Sequence, residues 1–403
     1  GSTVQTSGST PNNFTNPVTY TVTALNASTA TYVVTVTLSS SVSSMSMARA
    51  YHTATAYGTG ANLGDHVLVA GGLSGGIIRP DAEIYTTSSN SWTTVASMIT
   101  ARSHHTATLL TNGKVLVVGG KGGDGNSTNL AEIYDPAGNT WTATGNLTDA
   151  RMDHTAVLLD DGRVLVAGGT KYDGITSTTL ASAEIFDPAG NSGAGSWSVT
   201  GSMHQARASH AATALANGTH KAFVAGGYDT TYVGDAEVWS GGTWTTVSNL
   251  MSYGRWAPTA TLLTTGPNAG NVIVVGGFGN PGHLTIVDMY VPGSNAFTYP
   301  VPTPNDQHEF HTATVLANGK VLVAGGEHDA NVVECSSGYG CVVNTMDLYD
   351  PTTGFWTAVG PMTTKREFHA SALLSNGRVL ITGGLAGPDS EDNATIVSSA
   401  ELY

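Results

Sequence analysis

The chain has 403 residues with 15 Lys and Arg against 29 Asp and Glu, a formal charge of -14. That balance excludes nucleic acid and an anionic membrane surface as main partners, because neutralising phosphates needs clustered cations. Charged residues make up only 11% while glycine contributes 50 positions, so solubility rests on hydroxyls and turns, as in a secreted β-protein. No apolar run reaches the roughly 18 residues that span a bilayer, and no charged-then-apolar leader opens the sequence. The start at Gly1-Ser2, without Met, leads us to expect that an upstream stretch has been removed.

Residues 1 to 44 differ in pattern from the rest of the chain. Val18 to Thr23 and Thr31 to Thr37 alternate β-branched and polar residues on either side of Asn26-Ala27-Ser28, which predicts a β-hairpin. A lone hairpin is marginal in water, so it is expected to lie on the rest of the chain, on an upstream domain or on another copy. The stretch resembles the last hairpin of the Ig-like or cadherin-like sandwiches of bacterial surface proteins.

From Met47 onward one unit recurs, seen clearly in Ala101 to Gly120: an Arg, a His three residues later, an apolar strand, a turn, a second strand and Gly-Gly. The pairs fall at Gly71–Gly72, Gly119–Gly120, Gly168–Gly169, Gly226–Gly227, Gly276–Gly277, Gly325–Gly326 and Gly383–Gly384. A third strand carries an acidic-aromatic signature such as Glu132-Ile133-Tyr134. A fourth is marked by Trp92, Trp141, Trp197, Trp244, Phe297 and Trp356. A period near 50 residues points to propeller blades. Gly-Gly, Tyr and Trp in this register resemble the kelch motif over residues 45 to 403. The resemblance implies an all-β fold: a seven-bladed propeller of four-stranded blades around a channel, preceded by the segment 1 to 44. The seventh unit ends at Tyr403 before its fourth strand. Counting back from Arg49 by the repeat spacing predicts that a strand within Val33 to Ser43 closes the ring beside Ala400 to Tyr403, in its own chain or in a neighbour.

One repeat position holds Arg49, Arg102, Arg151, Arg207, Arg255, His308 and Arg366. Kelch-like propellers imply a ring there, near the channel mouth, which could bind carboxylate, phosphate or sulfate by bidentate contacts. The alternative is pairing with third-strand carboxylates such as Glu132 or Glu184, since buried charges need partners. Three residues on stand His52, His105, His154, His210, His311 and His369, with Pro258 in the fifth unit; we read these as blade structure. Off-repeat residues carry more functional information, and His104, His308, Tyr51, Asp153, Glu309 and Glu367 fall near the expected mouth.

Arg49-Ala50-Tyr51-His52 resembles the segment by which galactose-oxidase-like copper radical enzymes supply Tyr and His to copper. Carried over, Tyr51 and His52 would be ligands, but the remaining ligands are missing and copper requires three or four. Asp389, Glu391 and Asp392 offer the alternative of a Ca²⁺ site; no other cofactor is implied. Cys335 and Cys341 suit a local disulfide and an oxidising compartment, the alternative being two free thiols. Asn13, Asn26, Asn126, Asn146, Asn217 and Asn393 begin glycosylation triplets. The expected function is a secreted or cell-surface binding and scaffold module holding a glycan, a peptide or a neighbouring subunit. The alternatives are filament assembly through residues 1 to 44 and a copper-dependent carbohydrate oxidase.

Overall fold

The computed structural model describes residues 18–23, 29–34, 40–58, 64–215, 218–280, 282–299, 301–329, 341–387 and 395–403. Cys335, Asp389, Glu391, Asp392, Asn13, Asn26, Asn217 and Asn393 lie outside them. The hairpin is present, with β1 (Val18–Thr23) antiparallel to β2 (Thr29–Val34) from Val18↔Val34 to Thr23↔Thr29.

The remaining chain forms seven four-stranded antiparallel sheets. The second blade is representative: Thr106–Leu109, Val115–Val118, Ala131–Asp135 and Thr140–Ala143. Its second strand is buried at every position, so it reads as a continuous apolar run because sheets cover both of its faces. The seventh blade takes its outer strand from the other end of the chain. β3 (Ser40–Ser41) pairs with Ala400–Leu402 through Ser40↔Leu402 and Ser41↔Glu401. The ring is thereby closed within one chain, and an edge that would invite a foreign strand is covered.

The core is divided among the contacts between successive blades. Tyr57, Leu68, Ala70 and Met98 of the first blade pack on Val115, Val117, Tyr134 and Trp141 of the second. Met45, Leu380 and Leu402 join Val67, Val69 and Tyr85 across the closure. At the wide outer rim the indole N–H of the fourth-strand Trp donates backwards. Trp92 reaches the Ser43 carbonyl at 2.6 Å, and Trp141 reaches that of Ala96 at 2.7 Å.

The Gly pair lies where blades meet. Gly71 and Gly72 have φ of +67° and +96°, and a Cβ on Gly71 would stand 2.5 Å from the Arg102 carbonyl and 2.8 Å from His105 Cε1. Only glycine allows both the left-handed backbone and that approach. The Gly72 N–H then donates to the Arg102 carbonyl at 2.9 Å, linking one blade to the next.

The repeated arginines are fully buried. Arg102 Nη1 donates to the carbonyls of Gly119 and Leu130 at 2.7 and 2.9 Å, and Nη2 to Glu132 at 2.6 Å. Glu132 also accepts the N–H groups of Ile99 and Thr100. The pairs Arg49–Glu83, Arg151–Glu184, Arg207–Glu237, Arg255–Asp288 and Arg366–Glu401 repeat this arrangement. His308 stands in for the sixth, with Nδ1 at 2.8 Å from the Gly325 carbonyl and Nε2 at 3.2 Å from Asp347. Removing one partner strands a buried charge. Glu132→Ala should therefore cost about 3–5 kcal/mol in urea denaturation, whereas the double change Arg102→Met, Glu132→Leu should cost clearly less.

Candidate functional site

Two residues beyond each ring arginine or its His308 equivalent stand Tyr51, His104, Asp153, Ser209, Ala257, Phe310 and Phe368. All seven have φ between 48° and 55°, a region that non-glycine residues rarely occupy. From Phe368 round to Ala257 they are joined by an arc of backbone hydrogen bonds running from blade to blade. The N–H of Tyr51 donates to the Phe368 carbonyl at 3.1 Å, that of His104 to Tyr51 at 3.1 Å, and that of Asp153 to His104 at 3.2 Å. The Ser209 N–H continues to Asp153 at 2.9 Å, and that of Ala257 to Ser209 at 3.0 Å. Strain of this kind persists where the surroundings over-determine it, commonly at functional sites.

These side chains line a cavity of about 320 Å³ on the axis, together with the histidines one residue further on. Larger grooves of about 530 and 600 Å³ lie elsewhere, between neighbouring loops, and do not gather the repeat positions. One side of the mouth is a continuous aromatic arc. Tyr51 stacks on His104 with centroids 4.1 Å apart and on Phe368 at 4.3 Å; Phe368 meets Phe310 at 4.0 Å, and Trp256 meets Phe310 edge-on at 5.0 Å. Asp153, Ser209 and Ala257 occupy the other side. Burial pushes the Asp153 carboxyl above its ordinary value, opposed by His104 and Lys121.

Tyr51 and His104, singled out in the sequence, thus lie at the mouth. The ring arginines and His308 do not reach it: all are buried in the carboxylate and carbonyl contacts described above, so no ring guanidinium faces a ligand. That is the pairing the sequence offered as an alternative, and it replaces the anion-binding ring. Glu309 and Glu367 also leave the mouth, turning into a buried cluster with Glu327 and with His283, which lies in a loop of variable length.

The His ring is structural. His105 Nε2 lies 3.1 Å from Thr53 Oγ1, His154 Nε2 2.9 Å from Thr106 and His210 Nε2 2.8 Å from Thr155, each reaching into the preceding blade. Where the fifth unit has Pro258, the preceding blade has Ala211 in place of the threonine, so donor and acceptor are missing together. His52, facing Ala370, bonds Thr382 instead at 2.9 Å.

Comparison with known proteins agrees with this geometry. Residues 51–277 match the model described as the KLHDC2/KLHL20/DRC7 Kelch-repeats domain. The chain belongs to the kelch-repeat family. Residues 1–36 match a second model, SGBP, N-terminal, consistent with the hairpin. No curated protein matches the chain. Among solved structures, one described as a novel fungal alcohol oxidase with catalytic diversity among the AA5 family, in complex with copper, is similar. Its TM-score is 0.66 at 16% identity, covering 91% of this chain and 76% of that one. At that identity the likeness is one of fold.

Copper at Tyr51 and His52 would compete with contacts these side chains already make. His52 Nε2 is taken by Thr382, and the Tyr51 ring is held in the aromatic stack. Among the described residues, the one group of three or more His, Cys, Asp or Glu side chains close enough to share an ion lies elsewhere.

Burial, and then the neighbouring arginine, holds His210 and His369 down at about 3 and His52, His105 and His154 well below the ordinary value; burial and then His308 do the same to His311. The unfolded chain therefore binds more protons than the folded one between about pH 6.5 and 3, and stability falls as pH falls through that window. Urea midpoints should already decline between pH 6.5 and 5, above the range where ordinary carboxylates titrate. The double variant His210→Gln, His369→Gln should show a shallower decline.

Proposed function

We propose that the protein is a secreted or cell-surface binding module that holds a neutral glycan at its channel mouth. The observation that carries this reading is the division of charge. All six ring arginines are spent on carboxylates inside the blades, leaving a mouth of aromatic faces opposed by a carboxyl and a hydroxyl. Such a surface suits a ligand with an apolar face and hydroxyl edges, which is what a pyranose presents. A cavity of about 320 Å³ accommodates about one sugar residue, so a longer chain would enter by its end. Phosphate, sulfate and carboxylate ligands would meet Asp153 with no compensating cation from the ring.

Calorimetric titration with neutral and acidic oligosaccharides tests the reading. Neutral sugars should bind, and Phe368→Ala and Tyr51→Ala should each weaken binding by at least tenfold while leaving the thermal midpoint nearly unchanged. Binding of acidic sugars only, or binding indifferent to both changes, would overturn it. The extracellular setting also implies that Cys335 and Cys341 are joined. Cys341 is buried on the short strand Cys341–Val342. Mass spectrometry of non-reduced peptides should find the two cysteines cross-linked.

A further inference from the structure

Between the loops of the fifth, sixth and seventh blades lies a polar cluster that blade packing does not require. His283 follows the Gly pair of the fifth blade, Glu309 comes one residue after His308, Glu327 directly follows Gly326, and Glu367 is one residue after Arg366. At the positions matching Glu309 and Glu327 the second blade has Ser103 and Lys121. All four residues are buried: His283 is 8% exposed, Glu309 3%, Glu327 7% and Glu367 0%. The Glu309 and Glu327 strands are bridged to one another, as are those of Glu367 and Leu385, so the backbone that carries the carboxylates is fixed.

We propose that His283, Glu309 and Glu327 form a binding site for a divalent transition-metal ion of the manganese-to-zinc series, with Glu367 of the seventh blade hydrogen-bonded to Glu327 beside it. One ligand atom from each of the first three lies within 4.8 Å of the others. His283 Nε2 is 3.0 Å from Glu309 Oε2 and 3.6 Å from Glu327 Oε2. Two ligands about 2.1 Å from one ion stand about 3.0 Å apart at a right angle and about 3.4 Å apart at the tetrahedral angle. The observed separations are those of atoms sharing an ion. Despite this proximity, the buried Nε2 makes no aligned hydrogen bond, so an imidazole more than nine-tenths buried aims a ring nitrogen that no hydrogen bond satisfies at two carboxylates.

The other face of the imidazole is already arranged as a ligand's is. His283 Nδ1 lies 2.8 Å from Asp329 Oδ1. Asp329 in turn accepts from Gln307 Nε2 at 2.9 Å and donates its N–H to Gln307 Oε1 at 2.8 Å. A carboxylate behind a histidine, itself hydrogen-bonded, fixes the ring and raises its basicity as it does in metal sites. One nitrogen among carboxylates favours manganese, iron or zinc over calcium and magnesium, which prefer all-oxygen shells. Three glutamates buried together also need countercharge.

The test uses the full chain, stripped with a chelator and titrated with Zn²⁺, Mn²⁺, Co²⁺ and Ca²⁺ by calorimetry, with bound metal counted by mass spectrometry. One transition-metal ion per chain is expected. Binding should weaken at least 100-fold in His283→Gln and Glu327→Gln, and about 10- to 100-fold in Asp329→Asn. Co²⁺ should give visible ligand-field absorption that His283→Gln abolishes. Circular dichroism of the metal-free variants checks the fold; should the buried changes prevent folding, the partly exposed Asp329 still decides the matter. No transition-metal binding up to millimolar concentration, preference for Ca²⁺, or affinities unchanged in the variants that fold would overturn the proposal.

Discussion

The structure depends on one buried contact made in six of the seven blades, an arginine on the segment that enters the inner strand, held by two carbonyls and a third-strand carboxylate; in the sixth, His308 meets one carbonyl and Asp347. A buried charge is costly unless fully partnered, and here the partners come from three separate parts of the same blade. In the second blade, Arg102 ties the Gly119 carbonyl, the Leu130 carbonyl and Glu132 together. The contact therefore sets the spacing between the inner segment and the loop beyond the Gly pair. The residue of the mouth stands two positions beyond the arginine, so the same ion pair that orders the blade also places the residues of the mouth.

Closure around the axis is a different problem, solved with uncharged groups. The Gly pair lets one blade's backbone accept the next, the histidine reaches back to a threonine, and the left-handed residues from Phe368 to Ala257 pass a hydrogen bond from blade to blade. Pro258 with Ala211, and His52 with Thr382, show the rule by its exceptions: where one partner of the contact is lost, the other is lost with it or redirected. Neutral histidines suit this place because the arginines beside them already carry the positive charge, and burial discourages a second.

The repeat made most of the fold legible, because each signature residue has a single geometric duty that recurs in six or seven of the units. Gly71–Gly72, Tyr85 and Trp92 could be assigned to blade positions by period alone. The fate of the arginines was legible only as a choice, since six arginines facing seven carboxylates fit either a ring or a set of pairs until the distances were known. The aromatic arc was partly visible in Tyr51 and His104. Phe310 and Phe368 did not stand out because aromatic residues in a β-protein usually mean core. The metal-type cluster was half visible: Glu309 and Glu367 stand out against the repeat, but His283 sits in a loop of variable length where period gives no register. Only the fold brings that loop against the sixth blade.

The sixth blade shows how a repeat protein can acquire a site without losing its frame. It replaces the guanidinium with the shorter His308 and the third-strand glutamate with the shorter Asp347, and Asn305 fills in with a side-chain hydrogen bond to the same carboxylate. A permanently charged group is thus removed from the frame where Glu309 and Glu327 are added beside it. In the other blades the framework cation and its carboxylate balance. Here the neighbouring blades hold arginines already committed to Asp288 and Glu401. The surplus negative charge must then be met by His283, by shared protons or by a bound cation. Conversion of the framework and appearance of the cluster are one change in charge balance, localised to the blade whose loops stand behind Phe310 in the aromatic arc.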